Sequence, residues 1–187
     1  MSTLNFLAIS GSLRSASLNS ALLRATARLA PPDTSIKVFR GLGDLPLFNP
    51  DIETSNPQPV AKLRSQIIAA DALIIASPEY AHGITGALKN ALDWMVGSEA
   101  FVNKPIALFN AAPRAIHAYA SLREVVTMMS ARVVNESSII VPVSGSKLDE
   151  EGIYADLDIS VSIRAALRTL SHAVVEFRGH EQFATNQ

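Results

Sequence analysis

What most constrains this chain is an alternation that recurs along its length: a short apolar run, a polar loop, then apolar residues at helical spacing. "LNFLAIS" (4–10) is such a run, and Leu18, Ala21, Leu22, Ala25 and Leu29 follow at helical spacing until Pro31 and Pro32 interrupt the pattern. The unit returns with "SIKVF" (35–39) and "VAKLRSQIIAA" (60–70), and again with "DALIIAS" (71–77) and a helix from about Thr85 to Val96. It recurs with "KPIALFNAA" (104–112) and a helix from His117 to Ala131. Last come "SSIIVPV" (137–143), the loop "GSKLDEEG" (145–152) and a helix over about 158–177. Crossovers of this length join parallel strands, since antiparallel neighbours need only a tight turn.

Five such units predict an α/β fold: a three-layer sandwich with a five-stranded parallel sheet in the flavodoxin-like order 2-1-3-4-5. The chain has 187 residues with no internal repeat or low-complexity segment, so a single domain over 1–187 is expected. In such sheets ligands gather outside the carboxyl ends of the strands where the order reverses, here beside strands 1 and 3. The loops after Ser10, Ser77 and Asn110 are therefore where function is expected.

Composition removes several classes. A net charge of −1 gives no basic surface for nucleic acid. The absence of cysteine excludes disulfides, thiolate metal sites and a cysteine nucleophile, so any redox chemistry must come from a cofactor. No apolar run approaches the roughly 20 residues of a membrane span and no basic stretch precedes the first apolar run, so no membrane partner and a cytoplasmic location are expected.

The first loop, "SGSLRSASLN" (10–19), ends at a helix N-terminus, where free N–H groups and the helix dipole favour an anion. Ser12, Ser17 and Asn19 can donate hydrogen bonds and Arg14 can pair with phosphate oxygens in fork geometry. The same residues also suit a helix cap at Ser17 or Asn19 with a solvated Arg14. Neither the dinucleotide fingerprint nor a P-loop is present, and one arginine suits a monophosphate.

The second loop, "SPEYAHGITGALKNALDW" (77–94), has Pro78 to stop the strand, Gly83 for an unusual backbone conformation and Tyr80 as an aromatic face with a polar tip. It reads either as a seat for a flat ring system or as an ordinary turn. Trp94 is expected to pack in the core, and Lys89 and Asp93 to form a solvated pair. The third loop, "NAAPRAIHAY", places Asn110, Arg114 and His117 near the end of the fourth strand. Glu79, His82 and His117 suggest a metal, but the H-E-x-x-H spacing is absent, and without a G-x-S-x-G elbow a Ser-His-Asp hydrolase is disfavoured.

Together "GSLRSASLNSALL", "SPEYAHGITGALKNALDW" and the loop "LPLFNPDIE" resemble the NAD(P)H-dependent FMN reductase family, which includes quinone, chromate and azo reductases. The resemblance implies an enzyme that passes hydride from NADPH or NADH through FMN to a small acceptor: a flavin, quinone, azo compound or metal oxyanion. It implies a phosphate site at Ser10, Ser12, Arg14, Ser17 and Asn19. It further implies that Pro78, Glu79, Tyr80, His82 and Gly83 lie along the isoalloxazine, with Asn110 beyond, and that the protein is a homodimer or homotetramer. The loop after the fourth strand departs from relatives in lacking glycine. The alternative within the same fold is a flavodoxin-type electron carrier, against which the near-neutral charge argues.

Overall fold

The computed structural model describes residues 3–143 and 149–185. Its elements are β1 (Leu4–Ser10), α1 (Leu18–Arg28), β2 (Thr34–Val38), α2 (Pro50–Glu53), α3 (Gln58–Ala69), β3 (Ala72–Ala76), α4 (Gly86–Val96), β4 (Pro105–Asn110), α5 (Ile116–Met128), β5 (Arg132–Val133), β6 (Ile139–Ile140), α6 (Glu150–Ala155) and α7 (Leu157–Thr185). The strands are parallel in the order β2-β1-β3-β4-β5, with β6 also paired to β4. β1 lies between its two partners, with Ala8 opposite Val38 and Ile74.

Alternate side chains of the strands feed two cores. Phe6 and Ala8 face α1, α6 and α7, where Leu22, Ile163 and Leu167 are fully buried. Leu7 and Ile9 face α3, α4 and α5, where Leu63, Leu92 and Val126 are buried. This two-sided burial is why the central strands read as continuous apolar runs. Trp94 sits wholly inside the second core, its Nε1 donating to the Pro46 carbonyl at 2.8 Å and its ring edge-on to Phe48. Asn90 joins the same joint, donating to Pro46 O and accepting from Phe48 N, and so pins "LPLFNPDIE" onto α4.

The fifth strand position differs from expectation. Instead of one strand over 137–143, two short pieces, β5 and β6, pair with successive parts of β4, separated by a 3-10 turn at Asn135–Ser137. At the break the Leu108 N–H donates to the Ser138 hydroxyl at 3.0 Å instead of to a main-chain carbonyl. A side chain that satisfies the ladder lets the edge strand be interrupted at no loss of hydrogen bonding. Of the loop expected at 145–152, residues 145–148 lie outside the described residues. The last helix begins at Leu157 and is preceded by α6, which Arg28 ties to α1 through Glu150 and Glu151. Among the described residues no helix is long and apolar enough to cross a membrane.

Candidate flavin site at the end of the sheet

Three loops converge over the carboxyl ends of β1, β3 and β4. The first is built by its own hydroxyls. Ser10 Oγ and Ser20 Oγ share a hydrogen bond at 2.8 Å, Ser12 N donates to Ser10 Oγ, and Arg14 N donates to Ser12 Oγ. Ser17 is the N-cap of α1, its Oγ accepting from Ser20 N at 3.2 Å. The capping reading of Ser17 is therefore correct, and it leaves the hydroxyl proton free to donate outward.

Gly11 is where this loop touches the second. Its N–H donates to Ala76 O at 2.8 Å and its carbonyl accepts from Thr85 Oγ1 at 2.5 Å, while Thr85 also caps α4 by accepting from Leu88 N. A Cβ at Gly11 would stand 2.7 Å from Ser77 Oγ, so only glycine permits this approach.

The second loop is shaped by its backbone. Tyr80 and Gly83 exchange both N–H···O hydrogen bonds at 3.0 Å around Ala81 and His82, which have φ of 49° and 61°. Two left-handed residues between bonded ends have the φ signature of a type I′ hairpin turn, which ordinarily takes Asn-Gly. Here neither residue is glycine, so the tip holds local strain. The left-handed conformation falls on Ala81 and His82, whereas the sequence pointed to Gly83.

Glu79 has a role that sequence reasoning did not assign. The N-cap position of α5 is Ala115, whose side chain cannot cap it, and Glu79 Oε2 accepts instead from Ala118 N at 2.9 Å. A helix opened by alanine leaves N–H groups that must be met from elsewhere, and that was the available signal. The carboxylate also lies where the helix dipole favours negative charge. One residue before Ala118 on α5, His117 stacks its ring on that of His82 at 4.3 Å.

Between the loops lies a cavity of about 370 Å³. Of the residues singled out from sequence, Ser12, Arg14, Ser17, Asn19, Pro78, Glu79 and Tyr80 line it. Ser10 instead lines an adjoining cleft beside β2, and His82 at the hairpin tip and Gly83 at its base lie outside the cavity wall. Asn110 is buried and spent on its own loop: Nδ2 donates to Ala115 O, and Oδ1 accepts from Ala112 N at 2.9 Å. That side chain folds the turn that brings Ala111, Ala112 and Arg114 to the wall. Arg114 thus faces the same cavity as Arg14, a pairing across 100 residues of sequence that only folding creates.

The residues fit a phosphate-bearing group. Asn19 is 7 % exposed, lines the cavity at the second position of α1, and its Oδ1 is buried with no partner. An orphan of this kind costs about 1–3 kcal/mol, and the amide can equally present its NH2 to an anion. Around it lie the open N–H groups of the α1 terminus, the Ser17 hydroxyl and the exposed Arg14. Tyr80, 55 % exposed, stands between this cavity and a neighbouring recess of about 400 Å³ lined by Gly11, Leu13, Thr85 and Gly86. A planar ring laid beside Tyr80 would have space on both sides.

Known proteins share the sequence and the fold of this chain. A family model described as NADPH-dependent FMN reductase matches residues 4–145. An NAD(P)H-dependent FMN reductase of Pseudomonas aeruginosa is 34 % identical over 179 residues, 92 % of this chain and 96 % of that protein. A 2-hydroxy-1,4-benzoquinone reductase of a Burkholderia species is 35 % identical over 148 residues, 76 % of this chain and 80 % of its own length. Among solved structures, the flavoenzyme NAD(P)H:(acceptor) oxidoreductase of Paracoccus denitrificans superposes with a TM-score of 0.83 at 23 % identity, covering 94 % of this chain and 99 % of that one, and shares the fold. The chain belongs to the NADPH-dependent FMN reductase family and is an oxidoreductase that uses FMN and NAD(P)H.

Proposed function

We propose that residues 1–187 form a single-domain reductase that holds FMN in the cavity between the loops after β1 and β3 and serves a small planar acceptor of the quinone or flavin class. When bound, FMN supplies the redox chemistry, taking hydride from NAD(P)H and passing electrons to the acceptor. The chain's own residues bind and orient. Arg14, Ser12, Ser17, Asn19 and the α1 N-terminus are the phosphate ligands in this reading, and Arg114 adds a second positive charge across the cavity. Pro78, Tyr80 and the 80–83 hairpin give the ring system a wall, which Glu79 ties to α5 and Thr85 ties to Gly11. Ser10 and Asn110 act one step back, shaping loops that others present.

The observation that carries the reading is the buried, unpartnered Asn19 amide at the start of α1, in a cavity shared by both motif loops. The acceptor class is supported by the quinone reductases among the relatives. A homodimer or homotetramer is supported by exposed apolar side chains around α4 and α5, namely Val96, Val102, Ile116 and Met128. A cytoplasmic location accords with a cysteine-free chain.

The test is a visible spectrum of protein loaded with FMN and desalted, followed anaerobically on adding NADPH and then NADH. Retained flavin absorbance that bleaches promptly and returns on adding a quinone is expected. Retained flavin that neither nucleotide bleaches would indicate an electron carrier and overturn the enzyme reading.

A further inference from the structure

On the far side of the first loop a cleft of about 740 Å³ opens over the edge of the sheet, between the ends of β1 and β2 and the flank of α3. Arg24, Lys37, Arg40 and Lys62 line it against the single carboxylate of Asp44. Arg24 is neutralised by Glu150. Lys37, Arg40 and Lys62 are exposed and form no ion pair among the described residues. A lysine on an edge strand discourages strand addition, which accounts for Lys37. It does not account for Arg40, which lies beyond the strand, or for Lys62 on α3. The walls also carry Gln66, whose Oε1 is buried with no partner and whose amide, turned over, presents its NH2 to the cleft. Like-charged side chains gathered round one concavity repel each other and focus a positive potential into it, and an anion relieves that repulsion.

The cleft adjoins the proposed flavin site. Ser12 lines this cleft, the 370 Å³ cavity and the recess beside Tyr80, and Leu13 lines the cleft and that recess. Ser12 and Leu13 are shared by the recess and the basic cleft, so a dinucleotide with its nicotinamide beside Tyr80 can pass over Leu13 with its far end in that cleft. We infer that this cleft receives the 2′-phosphate of NADPH, with Arg40 and Lys62 as its cationic ligands and Lys37 and Gln66 beside them, and so determines preference for NADPH over NADH. The inference rests on the reductase reading and adds which residues read the 2′-phosphate. A 2′-phosphomonoester is the chemical difference between the two nucleotides. Arginine's fork and lysine's point charge are the groups that recognise it.

The experiment is calorimetric titration of the FMN-loaded protein with 2′,5′-ADP, 5′-AMP and inorganic phosphate, repeated on an Arg40→Ala, Lys62→Ala double variant. Both residues are exposed, so the substitutions spare the core. Wild type should bind 2′,5′-ADP about tenfold or more tighter than either comparator, and the double variant should lose that margin, with KM rising about tenfold more for NADPH than for NADH. Equal affinity for 2′,5′-ADP and 5′-AMP, or an unchanged margin in the variant, would overturn the assignment. Inorganic phosphate binding as tightly as 2′,5′-ADP would reduce the cleft to a general anion patch and overturn it likewise. The titration contains no redox step, so it reports on the cleft even where neither nucleotide bleaches the flavin, an outcome that would count against the reductase reading alone.

Discussion

The two loops that meet over the end of the sheet obtain their shapes by opposite means. The loop after β1 is held by side chains: Ser10, Ser12 and Ser17 each accept a hydrogen bond from nearby main chain, and no residue from Gly11 to Ser17 has a positive φ. The loop after β3 is held by main chain: Tyr80 and Gly83 pair with each other while Ala81 and His82 occupy the left-handed region. The first leaves polar groups unspent at its rim, Arg14 and the Asn19 amide among them. The second leaves strain in its backbone. In the proposed reading the two loops divide a ligand's charged end from its flat end, because charge is recognised by donors and a ring by a surface.

This contrast can be broken by substitutions on either side. The largest effect is expected at Arg14. Arg14→Ala should weaken FMN binding by about 1.5–3 kcal/mol, the range for a hydrogen bond to a charged group, with turnover at saturating FMN much less affected. Fluorescence titration of FMN checks this, and an unchanged Kd would remove Arg14 from the phosphate site.

Asn19→Leu comes next, and its two consequences have opposite signs. Removing a buried amide that lacks a partner should stabilise the flavin-free protein by about 1 kcal/mol, while the FMN Kd rises about tenfold. Thermal melts with and without FMN would show it. A loss of stability in the flavin-free protein would mean that Asn19 serves α1 rather than the ligand.

The smallest effect belongs to the strained hairpin. Ala81→Gly relieves a left-handed alanine and should stabilise the protein by up to about 1 kcal/mol, leaving the FMN Kd within about twofold. A lower melting temperature would show that the turn carries no strain.

Much of this molecule was legible beforehand because its signals are local. The apolar run of β3, the cap at Ser17 and the helical spacing from Leu18 to Leu29 each depend on residues a few positions apart, and Trp94 reads as core from its neighbours Leu88, Leu92 and Met95. What escaped depends on partners far along the chain. The fifth strand divides because the Ser138 hydroxyl meets Leu108 N, Asn110 turns inward because Ala112 and Ala115 supply its partners, and Glu79 caps a helix 39 residues away. None of these partners leaves a periodic trace in the sequence.

The sequence by itself determined the βα alternation, the parallel sheet order and the family, and marked the loops in which the site is proposed, since apolar period, helix caps and motif spacing are written in neighbouring residues. Tertiary structure alone decided which side chains share a cavity. It set Arg114 across from Arg14, turned Ser10 toward a different cleft, and brought Lys37, Arg40 and Lys62 from two elements and a loop around one concavity. Electrostatic and cavity relations are properties of distance in space, and the parallel crossovers that make this sheet carry residues remote in sequence to the same end of it.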